Sequence, residues 1–151
     1  MNVKLISHAL IQNKNQYLLI KRSRIKRGKK NVYPLYWDIP GGSVEDRELP
    51  REGAVRETLE EVGLHITIKS IIHEDSNLDE QKNTIFTRLV YEGELKGMGS
   101  ETNIVLDPEE HLEYRLINSL EQLKQESIVP YVKSIFKNFN DNKYNPILPI
   151  K

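Results

Sequence analysis

The chain contains no cysteine. That excludes disulfides, thiolate zinc sites and cysteine nucleophiles, argues against redox chemistry of its own, and is compatible with a reducing cytosol. It also lacks an excess of either charge, with 22 Lys and Arg against 22 Asp and Glu. No net field therefore recruits a nucleic-acid polymer or a membrane surface, and neither is expected as a partner. No stretch approaches the roughly 18 apolar residues of a membrane span, and the opening MNVKLISHALIQNK has too short an apolar run for a signal peptide. Internal repeats and low-complexity segments are missing as well. The expectation is a soluble, cytoplasmic protein of 151 residues, large enough to bury a core, with one domain over 1–140 and a polar, proline-punctuated tail over 141–151. The sequence leaves monomer and homodimer open.

Residues 42–64, GSVEDRELPREGAVRETLEEVGL, are where the chain is most informative. Pro50 suits a first helical turn and Gly63 a left-handed helix end, so a helix is predicted over 50–62. At roughly 100° per residue, Glu57, Glu60 and Glu61 fall within an arc of about 100°. Val55, Leu59 and Val62 lie opposite, which predicts that they form the core face, with Thr58 on the flank. Glu60 and Glu61 occupy the last turn, where the helix dipole disfavours carboxylates. Glu57 and Glu61 are a like-charge i,i+4 pair as well. Stability alone would place Lys or Arg here. Repulsions gathered in one place point to a function, and a divalent cation turns them into coordination. Oxygen-only ligands suit Mg²⁺, or alternatively Mn²⁺.

Elsewhere, 3–11 and 17–21 read as strands joined by a tight turn at 13–16. A basic stretch over 23–34, with Arg24, Lys26, Arg27, Lys29 and Lys30 around Gly28, reads as an exposed loop. A short strand over 36–39 ends at Pro40-Gly41-Gly42. After the helix, 65–73 and 84–95 read as strands separated by a polar connection at 75–83, and 112–117 as another strand. Ser119 caps a short helix through 123, and 129–139 shows helical spacing with Pro130 in its first turn. Such an α/β order implies a mixed sheet flanked by helices.

The fixed positions Gly42, Glu48, Arg56, Glu57, Glu60, Glu61 and Gly63 reproduce the pattern G-x5-E-x7-R-E-U-x-E-E-x-G-U, with U usually a bulky aliphatic residue. The chain thereby resembles the Nudix hydrolases. At a chance of about 7% per position, seven matches arise about once in 10⁸ windows. Two departures stand out: Thr58 occupies the first aliphatic position, and Arg47 stands where many relatives carry glycine.

The resemblance implies the Nudix α/β/α sandwich and metal-dependent hydrolysis of a diphosphate linked to a nucleoside or another group. It implies Glu57, Glu60 and Glu61 as metal ligands, completed by the Gly41 carbonyl and assisted by Glu48, and Glu57 or Glu60 as a group that also takes part in proton transfer. Arg56 is expected to hold Glu48 by paired hydrogen bonds. Downstream, Glu110-His111 with Glu113-Tyr114-Arg115 resembles the EH-x-E-Y-R-W segment of nucleotide-cleaving relatives, which implies Glu110 as a further ligand or general base. Arg22, Arg24 and Arg27 are candidates for phosphate binding, and Tyr36 and Trp37 for stacking on a base. His8, His65, His73 and His111 show no ligand spacing and read as structural.

Two other classes compete. An isopentenyl diphosphate isomerase of the same fold uses a catalytic cysteine, which this chain lacks, and a nucleotide sensor of this fold carries a degenerate motif, whereas Glu57, Glu60 and Glu61 are intact. Around 80–82 the sequence has neither the proline of ADP-ribose cleavers nor the tyrosine of dinucleoside polyphosphate cleavers. By elimination a nucleoside triphosphate, modified or not, leads as the small-molecule substrate, with ADP-ribose, nucleotide sugars and dinucleotides as the alternative.

Overall fold

A computed structural model describes residues 1–96 and 103–142, the side chains of 140–142 excepted. The first two strands, β1 (Asn2–Asn13) and β2 (Gln16–Arg22), form a hairpin whose register, Gln12 opposite Tyr17 and Asn13 opposite Gln16, leaves a two-residue turn. Lys14 and Asn15 take φ of 52° and 67° there, the left-handed pair that matches the twist of the flanking strands. The strands are apolar on both faces. Ala9 and Ile11 of β1 and Leu18 and Ile20 of β2 enter one core, while Leu10 and Leu19 enter the other. A strand covered on both sides reads as a continuous apolar run, which is what 9–11 and 18–20 are.

The basic stretch is more ordered than a loop. It contains a small hairpin of β3 (Ile25–Lys26) and β4 (Lys29–Lys30), anchored at its base by the buried Ser23 and Asn31. Two short strands follow, β5 (Trp37–Asp38) on β2 and β6 (Gly41–Ser43) on β1. Helix α1 spans Pro50–Val62, as expected. Its N-cap, Leu49, offers no acceptor, and the Glu52 carboxylate instead reaches back to the Leu49 N–H at 2.9 Å. At its end Gly63 adopts φ 73° and donates to the Leu59 carbonyl, the left-handed cap that glycine adopts without steric cost.

Strand β7 (Ile66–Asp79) is longer than the sequence suggested: 75–79 pair with β8 (Thr84–Leu95), and only 80–83 turn. Strand β8 lies parallel to β1 along eleven register pairs, from Asn2 with Thr84 to Gln12 with Glu94, while the other strand pairs among the described residues are antiparallel and an isolated parallel bridge joins Trp37 to Ile128. With β9 (His111–Ile117) on β2, the sheet is mixed and seven-stranded. A 3₁₀ turn at Leu120–Leu123 follows Ser119, and α2 runs from Pro130 to Asn142, two residues beyond the expected domain end at 140. The rest of the tail, 143–151, lies outside the described residues. Helix α1 covers the face bearing Ala9, Ile11, Leu18 and Ile20, and α2 covers the face bearing Leu10, Leu19 and Val90. The result is the expected α/β/α sandwich. Among the described residues no helix is long and apolar enough to cross a membrane.

The packed face of α1 differs from the one the helical wheel selects. Gly53, Ala54, Thr58, Glu61 and Val62 are buried, whereas Leu59 is 42% exposed and Val55 only partly covered. Thr58 is therefore a core residue, its hydroxyl satisfied by the Ala54 carbonyl at 2.8 Å. That rotation carries a carboxylate, Glu61, into the sandwich.

Candidate functional site

The site is built where the start of β6 meets the last two turns of α1. Glu61, 2% exposed, accepts from the Gly41 N–H at 3.0 Å and lies 3.6 Å from His111 Nε2. Its carboxyl is pushed up to about 10, foremost by burial, then by the Glu57 carboxyl within hydrogen-bonding reach and by the charge of Glu110. Two facing carboxyls of this kind hold either a proton or a cation between them. A Cβ on Gly42 would fall 2.6 Å from Glu57 Oε2. The first fixed glycine of the motif thus makes room for the Glu57 carboxylate.

Arg56 collects the remaining carboxylates. Its Nε and one terminal nitrogen contact Glu48 at 2.7 and 3.0 Å, the expected fork. The other nitrogen reaches Glu60 at 3.0 Å and Glu57 at 3.3 Å, and the Ser43 carbonyl accepts at 3.1 Å. This contact holds the Glu48 carboxyl below its ordinary range. Glu45 stands 3.6 Å away. The motif residue Arg47, in this same loop, has φ 65°. The left-handed bend that glycine favours is retained although its residue is not.

The loop before β9 closes the end of α1. The N–H groups of Val105 and Asp107 donate to the carbonyls of Val62 and Glu61 at 2.9 and 3.0 Å, satisfying acceptors that a helix end leaves open. Glu110 is thereby brought into a narrow cleft with Glu61, Gly41, Asp38, His111, Arg22 and Lys26. Its carboxylate is already occupied, by Lys26 at 3.0 Å and Arg27 at 2.9 Å. Burial alone would raise its pKa, and these two cations more than offset that, so it is lowered.

Beside the cluster, beyond Gly41, Gly42 and Ser43, opens a cavity of about 690 Å³, within the range of roughly 300–1,000 Å³ usual for ligand sites. A polar chain forms part of its wall. The Tyr131 hydroxyl donates to the buried Asp38, which also receives Arg22 at 2.9 Å, and the His8 ring lies 3.0 Å from that hydroxyl. Burial lowers the His8 pKa and keeps the ring neutral. Arg88 stacks 4.1 Å over the Tyr131 ring and pairs with Asp75 at 3.1 Å, while its buried Nε has no hydrogen-bond partner among the described residues. His73 meets Asp75 at 2.6 Å.

Several sequence candidates fall elsewhere. Trp37 is fully buried, its indole N–H donating to Glu126 at 2.9 Å, so it has no face left for a base. Tyr36 is half-buried against the α2-side core, and it is its neighbour Tyr33 that lines the cavity. Arg24 is exposed outside the cavity, and Arg27 is engaged by Asp107, Glu109 and Glu110; Arg22 and Lys26 line the cavity, themselves paired with Asp38 and Glu110. His8, His73 and His111, read as structural, stand at the cavity or against Glu61. With Asp38, Asp75, Arg88 and Tyr131 they line or adjoin these two spaces, and the sequence reading had not singled them out for a site. Their signal was a polar side chain within an apolar run, as at His8 and Asp38.

The donor set fits a hard divalent cation, since Glu61 interacts with the carboxyls of Glu57 and Glu110 and these offer oxygens only. It is not preassembled: among the described residues no three acidic or histidine side chains converge as a cage, and Arg56 holds Glu57 and Glu60.

Residues 3–139 match the NUDIX domain. An ADP-ribose pyrophosphatase of Methanocaldococcus jannaschii is 36% identical over 92 residues, 58% of this chain and 51% of that protein. An 8-oxo-dGTP diphosphatase of Proteus vulgaris is 44% identical over 32 residues, 21% of this chain and 29% of that one. The chain thus spans about half, or less, of the length of these curated relatives. A MutT protein of Methanosarcina mazei Go1 superposes with a TM-score of 0.72 at 25% identity, covering 94% of this chain and 96% of its own.

Proposed function

Because the chain belongs to the Nudix family, we propose that it hydrolyses a diphosphate bond in a small nucleotide with the help of Mg²⁺ or Mn²⁺, a nucleoside triphosphate, modified or not, being the leading substrate. The observation that carries this reading is the buried Glu61 interacting with Glu57, separated from a ligand-sized cavity by Gly41, Gly42 and Ser43. Glu57, Glu60, Glu61 and the Gly41 carbonyl would hold the cation, with Glu48 beside them. The cation supplies neutralisation of phosphoryl charge and a bound water of lowered pKa. Arg56 orients Glu48 and must release Glu57 and Glu60 when they coordinate. In this reading Glu110, which lines the cleft with Glu61, takes a proton from attacking water, and Arg22 meets phosphate oxygens. The cavity wall offers the nucleoside end both donors and acceptors.

The two curated relatives are named for nucleotides that contain a diphosphate, which supports the class. The archaeal relative favours ADP-ribose as the second reading. A screen of nucleoside di- and triphosphates, nucleotide sugars, ADP-ribose and dinucleoside polyphosphates with Mg²⁺ tests the proposal, comparing wild type with Glu60→Gln. Turnover by wild type, lost in the variant and on chelation, is expected. Equal turnover in both proteins would remove the site assignment, and tight binding without turnover would favour a sensor.

A further inference from the structure

Two cations hold Glu110, and one of them, Lys26, also lines the cavity. Lys26 Nζ sits 3.0 Å from Glu110 Oε1, and an Arg27 nitrogen sits 2.9 Å from Oε2. Lys26 also lines the large cavity beside Gly41, Gly42 and Ser43. A lysine at the border of two spaces changes partner by rotating its own side chain, a motion of exposed groups on the picosecond-to-nanosecond scale. Arg27 is more than half exposed, at the tip of a hairpin whose strands are two residues each and whose turn is left-handed, with φ 49° at Arg27 and 83° at Gly28.

The base of this hairpin is held by backbone and buried polar contacts, whereas its tip is held by side-chain ion pairs. Ser23 N–H donates to the Glu110 carbonyl at 3.0 Å, Asn31 donates to the Ser23 carbonyl at 3.0 Å, and Arg22 Nε donates to the Val32 carbonyl at 2.7 Å. Hairpin and loop therefore share a backbone pivot, and the cations at the tip work over the Glu110 carboxylate. A diphosphate entering the cavity presents at least the negative charge that Glu110 does, on oxygens suited to Lys and to the guanidinium fork.

We propose that the β3–β4 hairpin is an exchangeable clamp in which Lys26 and Arg27 leave Glu110 for the oxygens of an incoming diphosphate, uncovering the Glu110 carboxylate beside Glu61. This rests on the diphosphate reading above and adds the coupling. The released carboxylate joins Glu57 and Glu61, so anion capture increases the demand for a cation at the other end of the cleft, and each ligand favours the other. Without an anion the clamp keeps Glu110 neutralised, which keeps the cluster from accumulating charge that nothing balances.

The test uses the full chain stripped of divalent ions by chelator, with imidodiphosphate, a diphosphate with a nitrogen bridge, as the calorimetric probe. Glu110 competes for the clamp, so Glu110→Gln is expected to tighten the probe about tenfold, the gain when a binding-competent fraction of about a tenth becomes dominant. Lys26→Gln and Arg27→Gln are expected to weaken it about tenfold each, while Lys29→Gln, which removes a like charge on the same hairpin away from Glu110, leaves it within twofold. Unchanged or weaker binding by Glu110→Gln overturns the exchange, as does equal loss in Lys29→Gln, which would mean a diffuse field. Substrate turnover by wild type is scored separately, so a failed clamp with turnover intact and a working clamp without turnover are different results.

Discussion

Arg56 grips Glu48 through two nitrogens at 2.7 and 3.0 Å and with its third reaches Glu60, four residues on. One guanidinium thus ties the loop to the helix and occupies the carboxylates that a cation would take. Replacing it by lysine keeps the charge and removes the fork. Arg56→Lys is expected to lower turnover by about 10- to 100-fold, the usual cost of losing a group that orients a ligand. Circular dichroism should be unchanged; full activity in the lysine variant would mean that charge alone suffices.

The pH dependence of the metal-free protein follows from Glu61. Its pKa rises from 4.5 unfolded to about 10 folded, foremost through burial, so the folded state binds more protons between those values. Stability from this group is fully present below pH 4.5 and is lost as the pH climbs toward 10. Urea unfolding in chelator at pH 5, 7 and 9 is expected to show a decline that Glu61→Gln flattens. Added Mg²⁺ should stabilise more at pH 9 than at pH 6, because it binds the deprotonated form. Identical slopes in the two proteins would remove the buried carboxyl as the cause.

The adjacent glycines separate folding from chemistry. A methyl on Gly42 meets only the far end of the Glu57 side chain, whereas one on Gly41 meets the His8 ring and the Ser7 carbonyl at 2.4 Å. Gly42→Ala is therefore expected to keep stability within about 1 kcal/mol while cutting turnover at least tenfold, and Gly41→Ala to destabilise by more than about 2 kcal/mol. Thermal unfolding and a turnover assay read both.

Arg47 is exposed and left-handed, φ 65°. The Cβ penalty there is about 1–2 kcal/mol, partly offset by glycine's greater freedom when unfolded. Arg47→Gly should be neutral or stabilising by up to about 1 kcal/mol, and Arg47→Val destabilising, the β-branch being least tolerated at positive φ. A glycine variant that unfolds earlier would contradict this account of the loop.

Much of this was legible where the signal is local. The β1–β2 turn, the limits of α1 at Pro50 and Gly63, and the Arg56–Glu48 fork each depend on residues close in sequence. The face of α1 was not, because a wheel weighted by hydropathy selects Leu59 over Thr58 and Glu61, whereas packing against β1 and β6 selects the small Gly53 and Ala54 and whatever shares their side. The β7 extension was hidden for a related reason: Asp75 and Asn77 are polar because they line the cavity, not because the strand has ended. The polar wall was least legible. Tyr131 meets Asp38 across 93 residues and His8 across 123, distances over which no short pattern reports.

The bond from the Asp107 N–H to the Glu61 carbonyl makes residue 61 a shared abutment: its main chain bears the loop before β9, and its side chain bears the start of β6. The gap between those two walls is consequently gauged by a single amino acid. Widening the cleft here would dislodge the end of the helix, which leaves the hairpin and the α2 side of the cavity as the walls of this chain that can adapt to ligand size.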